Sequence, residues 1–160
     1  MNKFLKVFFI AASVLWLAFI FSNSLKNARS SADQSGSVTR IVADVIASVA
    51  PEKEINIEDL SVKVRKTAHY TEFFILSALV SVSVLLFTDK ISRLCAVTLP
   101  VCAVSCVSDE LLQLASPGRA CSPVDMLIDY AGVLTAFFII IAAVIIRQRR
   151  SSLKGESTDK

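Results

Sequence analysis

Two short stretches of the 160-residue chain concentrate the side chains able to do chemistry. "RKTAHYTEF", residues 65–73, holds Arg65, Lys66, His69 and Glu72. "SDELLQLASPGRACSPVDMLIDYAG", residues 108–132, holds Asp109, Glu110, Gln113, Arg119, Asp125 and Asp129. Their spacing is helical. Arg65, His69 and Glu72 fall at i, i+4 and i+7, Asp109 and Gln113 at i and i+4, and Asp125, Asp129 and Gly132 at i, i+4 and i+7, so each set shares one helix face. His69 is the single histidine. With Glu72, Glu110 and Asp125 it is a candidate for proton transfer. Asp109, Glu110 and Asp125 suit a divalent cation, and Arg65, Lys66 and Arg119 suit a phosphate or carboxylate. These patterns identify neither a cofactor nor a particular metal.

Several of these residues have simpler roles open to them. Asp125 can complete a capping box, Asp109 and Glu110 can be solvated helix ends, and Arg65 and Lys66 can anchor to lipid headgroups. Glu72 and Asp129 are harder to dismiss, because apolar runs follow them directly: "FFILSALVSVSVLLF" and "YAGVLTAFFIIIAAVII". A charge at the centre of a bilayer costs roughly 2.5–3.5 kcal/mol, less near its edge, so such residues are expected to face a bundle interior and pair.

The elements that must position them are apolar helices. Hydrophobic residues make up 54% of the chain, and mean hydropathy is +0.61, which excludes an ordinary soluble domain. Four runs, about residues 4–21, 70–87, 91–107 and 130–146, approach the roughly 17–25 residues that cross a bilayer as helix. None alternates with period two, so barrel strands are not indicated. The predicted fold is all-α: a polytopic, multi-pass membrane protein with a four-helix transmembrane bundle in one domain, residues 1–150, followed by a disordered polar tail, 151–160. An additional amphipathic helix is expected on the membrane surface, where Val38, Ile41, Val42, Val45, Ile46 and Val49 share a side. The Ser-rich stretch before it, "SNSLKNARSSADQSGSVTR", reads as a polar linker.

Local signals place the ends. Asn56 caps a helix that enters the second span, with Asp59 three residues later. Pro100 is expected to kink the third span, which continues to Ala115, and "SPGR" suits a turn. Ser122, Pro123 and Asp125 read as the N-cap, N1 and N3 of the last helix. Gly132 would admit a close neighbour. The basic start and apolar run of the first span also describe a signal peptide, but its length and the lack of an A-x-A site favour a retained span. Cys95, Cys102 and Cys106 share a helix face and read as seam residues, and Cys121 as a loop residue.

Lys3, Lys6, Lys90, Arg93, Arg147, Arg149 and Arg150 fall on one side of four alternating spans. That side is expected to be cytoplasmic, with both termini. Whatever the orientation, the loops after spans one and three share a side, so the two polar stretches converge at one end of the bundle. No P-loop, dinucleotide fingerprint or nucleic-acid module is present, and the bilayer is the expected partner.

At these residues the chain resembles the VanZ-like membrane protein family. That family's Arg-Lys-x-x-His with a following Glu corresponds to Arg65, Lys66, His69 and Glu72. Its Asp-Glu-x-x-Gln corresponds to Asp109, Glu110 and Gln113, and its Gly-Arg to Gly118 and Arg119, with Asp125, Asp129 and Gly132 beyond. "WLAFIFSNS" is similar to the family's first span and its exit. One position departs: the family commonly carries Asn where this chain has Asp129. The family is named for a protein linked to resistance to the glycopeptide teicoplanin, so the resemblance implies a bacterial cell-envelope role without implying a reaction. The leading expectation is an envelope membrane protein that binds or shields a lipid-linked wall precursor or an anionic lipid headgroup at an outer-face polar cluster, with a link to glycopeptide resistance. The alternative is a membrane enzyme acting on such a lipid by acid/base or metal-assisted chemistry. A transporter ranks third, since no inverted repeat or broken helix pair is evident.

Overall fold

The computed structural model describes residues 3–26, 28–50, 52, 54–117 and 121–158, of which 28–34 and 152–158 are described as backbone only. The described residues form five helices: α1 (Lys3–Ser24), α2 (Ala28–Val49), α3 (Ile57–Leu85), α4 (Ile91–Leu114) and α5 (Pro123–Thr158). Within α1, α3, α4 and the Pro123–Ser151 part of α5 lie stretches long and apolar enough to cross a membrane. These match the four expected runs and extend beyond them, because polar residues continue each helix past its apolar section.

α3 is the hub of the bundle. It packs against α1, α2, α4 and α5, and most extensively against α5. Gly132 explains the closeness of that crossing: a Cβ there would stand 2.3 Å from the Tyr70 carbonyl oxygen. The missing side chain lets the two backbones approach, as small residues do between membrane helices. One residue further on, Ser77 Oγ donates to the Val133 carbonyl oxygen at 3.0 Å. Around this seam Ile20, Phe73, Leu76, Val80 and Val133 form the buried core with Cys102 and Cys106. All four cysteines are free, and two of the three in α4 are buried in the seam, as their shared face suggested.

The ends of the helices follow local chemistry. Asn56 Oδ1 accepts the backbone N–H groups of Glu58 and Asp59 at 3.0 and 3.3 Å, starting α3. α4 carries Pro100 inside it and remains helical on both sides. Two boundaries differ from expectation. The stretch read as a linker is helical from Ala28, since it has no proline and its one glycine, Gly36, is tolerated in a helix interior at a cost of about 1 kcal/mol. The polar tail expected to be disordered from residue 151 instead continues α5 as helix to Thr158, and its Leu153, Lys154 and Glu156 are good helix formers. α2 leaves Val38, Ile41, Val45 and Val49 exposed along one side while Thr39 is buried.

Candidate functional site

The exit of α1, the first half of α3, the end of α4 and the start of α5 meet at one end of the bundle, as four crossings require. There the close approach at Gly132 sets His69, next to Tyr70, against Asp129, three residues before the glycine. His69 Nδ1 stands 3.8 Å from Asp129 Oδ1 and 3.9 Å from Asp109 Oδ2. One ligand-type atom from each of the three residues lies within 4.8 Å of the others.

The acids are deeply buried. Asp109, Glu110 and Asp129 have 0% exposure. Asp109 is held on both sides: Ser24 Oγ donates to Oδ1 at 2.6 Å, and Gln113 Nε2 donates to Oδ2 at 2.9 Å. Ser116 Oγ in turn donates to the Ser24 carbonyl oxygen at 3.0 Å, tying the end of α4 to the end of α1. Glu110 Oε2 accepts the Ser122 backbone N–H at 2.9 Å. Glu110 Oε1 and both Asp129 oxygens have no hydrogen-bond partner among the described residues.

Asp125 has a different place from the one a capping box would give it. Its backbone N–H reaches Ser122 Oγ at 3.3 Å, so Ser122 does cap α5. The Ser122 N–H is taken by Glu110 of α4, and the Asp125 carboxylate pairs with Lys66 at 3.5 Å. That pair is about one-third exposed on each side and contributes at most about 1 kcal/mol. Cys121, in the connection outside the spans, has its thiol pKa raised above the ordinary value of 9.0, first by desolvation and then by Glu110.

His69 also faces a second environment. A groove of about 750 Å³ runs between α1, α2 and α3, walled by Trp16, Phe19, Val38, Val42 and Ile75, with Asn23, Lys63, Arg65, His69 and Glu72 as polar members. Glu72 Oε1 accepts from Asn23 Nδ2 at 3.0 Å, Asn23 Oδ1 accepts from Lys26 Nζ at 2.8 Å, and Trp16 Nε1 donates to the Glu72 carbonyl oxygen at 2.9 Å. His69 is thus shared: the acids of α4 and α5 lie to one side and the groove to the other.

Of the ten residues singled out in the sequence, the structure gathers His69, Asp109, Glu110, Gln113 and Asp129 into one buried cluster. Arg65 and Glu72 line the groove, and Lys66 and Asp125 pair between α3 and α5. Arg119 lies outside the described residues, as does Gly118. Sequence reasoning missed Ser24, Asn23, Lys26, Trp16 and Ser116. The signal for the first three was the polar exit "SNSLK" of span one, which the crossing argument already places at the same end as the acids.

No curated protein and no solved structure matches the chain. The family model described as VanZ/LLP1 matches residues 9–147, which takes in most of the first and last spans, the two between them and both polar stretches. The chain therefore belongs to the VanZ/LLP1 family.

Proposed function

We propose that this protein is a cell-envelope membrane protein that binds an anionic, lipid-anchored component in the groove between α1, α2 and α3. The observation that carries this reading is the groove itself. Its walls are apolar enough for a lipid chain, while Lys63 and Arg65 stand among its lining residues as partners for a phosphate. Its volume of about 750 Å³ falls within the roughly 300–1,000 Å³ of small-molecule sites. In this reading the site end of the bundle faces outward, both termini are cytoplasmic, and the bound component is a lipid-linked wall precursor or a related headgroup. Shielding such a precursor is the route by which the protein would bear on glycopeptide, including teicoplanin, resistance.

Trp16 is the only tryptophan and lines the groove, so its emission reports occupancy directly. In detergent, a short polyprenyl diphosphate should change Trp16 emission saturably, and the neutral polyprenol should bind at least about tenfold more weakly, a difference near 1.4 kcal/mol. Arg65→Ala should remove most of that preference. Equal binding of the charged and neutral compounds, or no emission change with either, would defeat the reading. A second reading is favoured by one observation: His69 belongs both to the groove wall and to the buried acids. An enzyme acting on the same lipid, with His69, Glu72, Glu110 and Asp125 as acid/base candidates, would release phosphate from the diphosphate, and a binding protein would not.

A further inference from the structure

We infer that His69, Asp109 and Asp129 form a binding site for one divalent cation of the zinc or manganese type. The cluster lies behind the groove, and the inference does not depend on what the groove holds.

The first ground is the state of the acids. Asp109, Glu110 and Asp129 have no exposure, and the His69 imidazole stands within 4 Å of two of them. Desolvating an ionised carboxylate costs several kcal/mol even after relaxation, so buried charges are paired, protonated or bound to metal. Hydrogen bonding answers this for Asp109, which accepts from Ser24 and Gln113. It does not answer it for Asp129, whose two oxygens have no hydrogen-bond partner among the described residues although one lies 3.8 Å from His69 Nδ1.

The second ground is distance. Separations of 3.8 and 3.9 Å are too long for N–H···O hydrogen bonds, which run about 2.7–3.2 Å. They are close to the spacing of atoms that share an ion: ligands bonded at about 2.0–2.2 Å to a tetrahedral ion stand roughly 3.3–3.6 Å apart. The two carboxylates offer ligand atoms within 4.8 Å of each other, and a bound ion would draw the three groups together.

The third ground is the support around the ligands. Ser24 and Gln113 fix the Asp109 carboxylate from both sides, the arrangement by which outer hydrogen bonds orient metal ligands. Ser116 anchors the Ser24 backbone. Glu110 Oε1, on the residue next to Asp109, is also buried without a hydrogen-bond partner among the described residues. One imidazole and two carboxylates are borderline and hard donors, which suit zinc or manganese better than a soft ion. Three protein ligands leave a coordination position open, the pattern of sites that act on a bound molecule rather than only hold a fold.

The test uses the full chain purified in detergent, stripped with chelator, reloaded separately with zinc chloride and manganese chloride, and desalted. Elemental analysis should find about one ion per chain for at least one of the two metals, as a three-ligand site would hold. Asp129→Asn should lower retained metal at least tenfold. This variant keeps its side-chain shape and removes an unpaired buried acid, so it should melt no lower than chelator-stripped wild type. Gln113→Ala should weaken binding by about 10–100-fold, the usual effect of losing an orienting partner. Glu58→Gln, on the exposed first turn of α3, should change nothing. Folded wild type that retains neither metal overturns the inference and leaves protonated acids as the answer. Equal retention by Asp129→Asn overturns it as well, by locating the ion elsewhere. Trp16 emission with the polyprenyl diphosphate in the presence of chelator tests the groove separately, so either reading can fail alone.

Discussion

The two ends of this bundle handle charge in opposite ways. At one end Lys3, Lys90, Arg93, Arg147, Arg149 and Arg150 are exposed, and the contacts there are light: Lys6 Nζ rests 4.2 Å over the Phe87 ring, and Gln148 donates to the Asp89 carbonyl oxygen at 3.0 Å. At the other end three acids are withdrawn completely from solvent and four helices converge on them. Exposed cations at a span boundary interact with water and headgroups, and the loss of one disturbs little. Acids inside the bundle depend on particular partners. Both ends are rich in ionisable residues, and burial separates them more clearly than composition does.

The sharpest way to break this contrast is at Gly132. Gly132→Ala places a methyl group against the Tyr70 carbonyl oxygen, so α3 and α5 must separate and His69 must leave Asp129. The expected loss is about 3 kcal/mol or more, at the upper end for overpacking. Gly36→Ala, with nothing within 4 Å of the new Cβ, should be neutral or slightly stabilising. Thermal unfolding of both variants in detergent measures this, and similar melting temperatures would mean the crossing is loose.

Next in size is Asp109→Ala, which strands the Ser24 and Gln113 donors in a buried site. A loss of about 2–4 kcal/mol is expected, against about 0.5 kcal/mol or less for Arg147→Ala at the basic end. If the two variants unfold alike, the buried end is not the one that depends on its partners.

A smaller effect is expected at the groove. Glu72→Gln weakens the bond from Asn23 and should cost about 1 kcal/mol, whereas Glu54→Gln, exposed before α3, should stay within about 0.5 kcal/mol. Chemical denaturation of the pair decides whether Glu72 is held or merely solvated.

The smallest effect is a shift in titration. Cys121 has its thiol raised by desolvation and by Glu110, so alkylation should reach half its maximal rate at a higher pH than for an unperturbed thiol. Glu110→Gln should move the midpoint down. Because the folded pKa is the higher one, the associated stability is complete below the ordinary thiol pKa and is lost as pH rises through the folded value. An impermeant reagent applied to intact cells at high pH would also label Cys121 only if the site end faces outward.

The spans, the Asn56 cap and the role of Gly132 were legible because each rests on a local rule: apolar length, a capping side chain and a missing Cβ. Convergence of the polar stretches was legible from counting crossings. The partners of the acids were not. Ser24 lies 85 residues from Asp109, and a serine at a helix exit is ordinary until its neighbour in space is known. Glu110, a site candidate that could equally have been a solvated helix end, is fully buried, because "DELLQ" turns its acids inward just where α5 begins. The first part of α2 was hidden by serines, which signal linkers more often than helices.

The bond from the Ser122 N–H to Glu110 has a consequence for biogenesis. The start of α5 is completed by a side chain of α4, so neither segment is finished as an independent insertion unit. During synthesis the chain emerges N-terminus first. The Ser24 hydroxyl therefore exists before the acid that needs it, whereas Glu110 must wait for Ser122, 12 residues later in the chain. In the interval its carboxyl group has lost neither water nor its choice of partner. That order predicts that the last two helices enter the bilayer together as a hairpin, with the acids leaving water as it closes against α1 and α3.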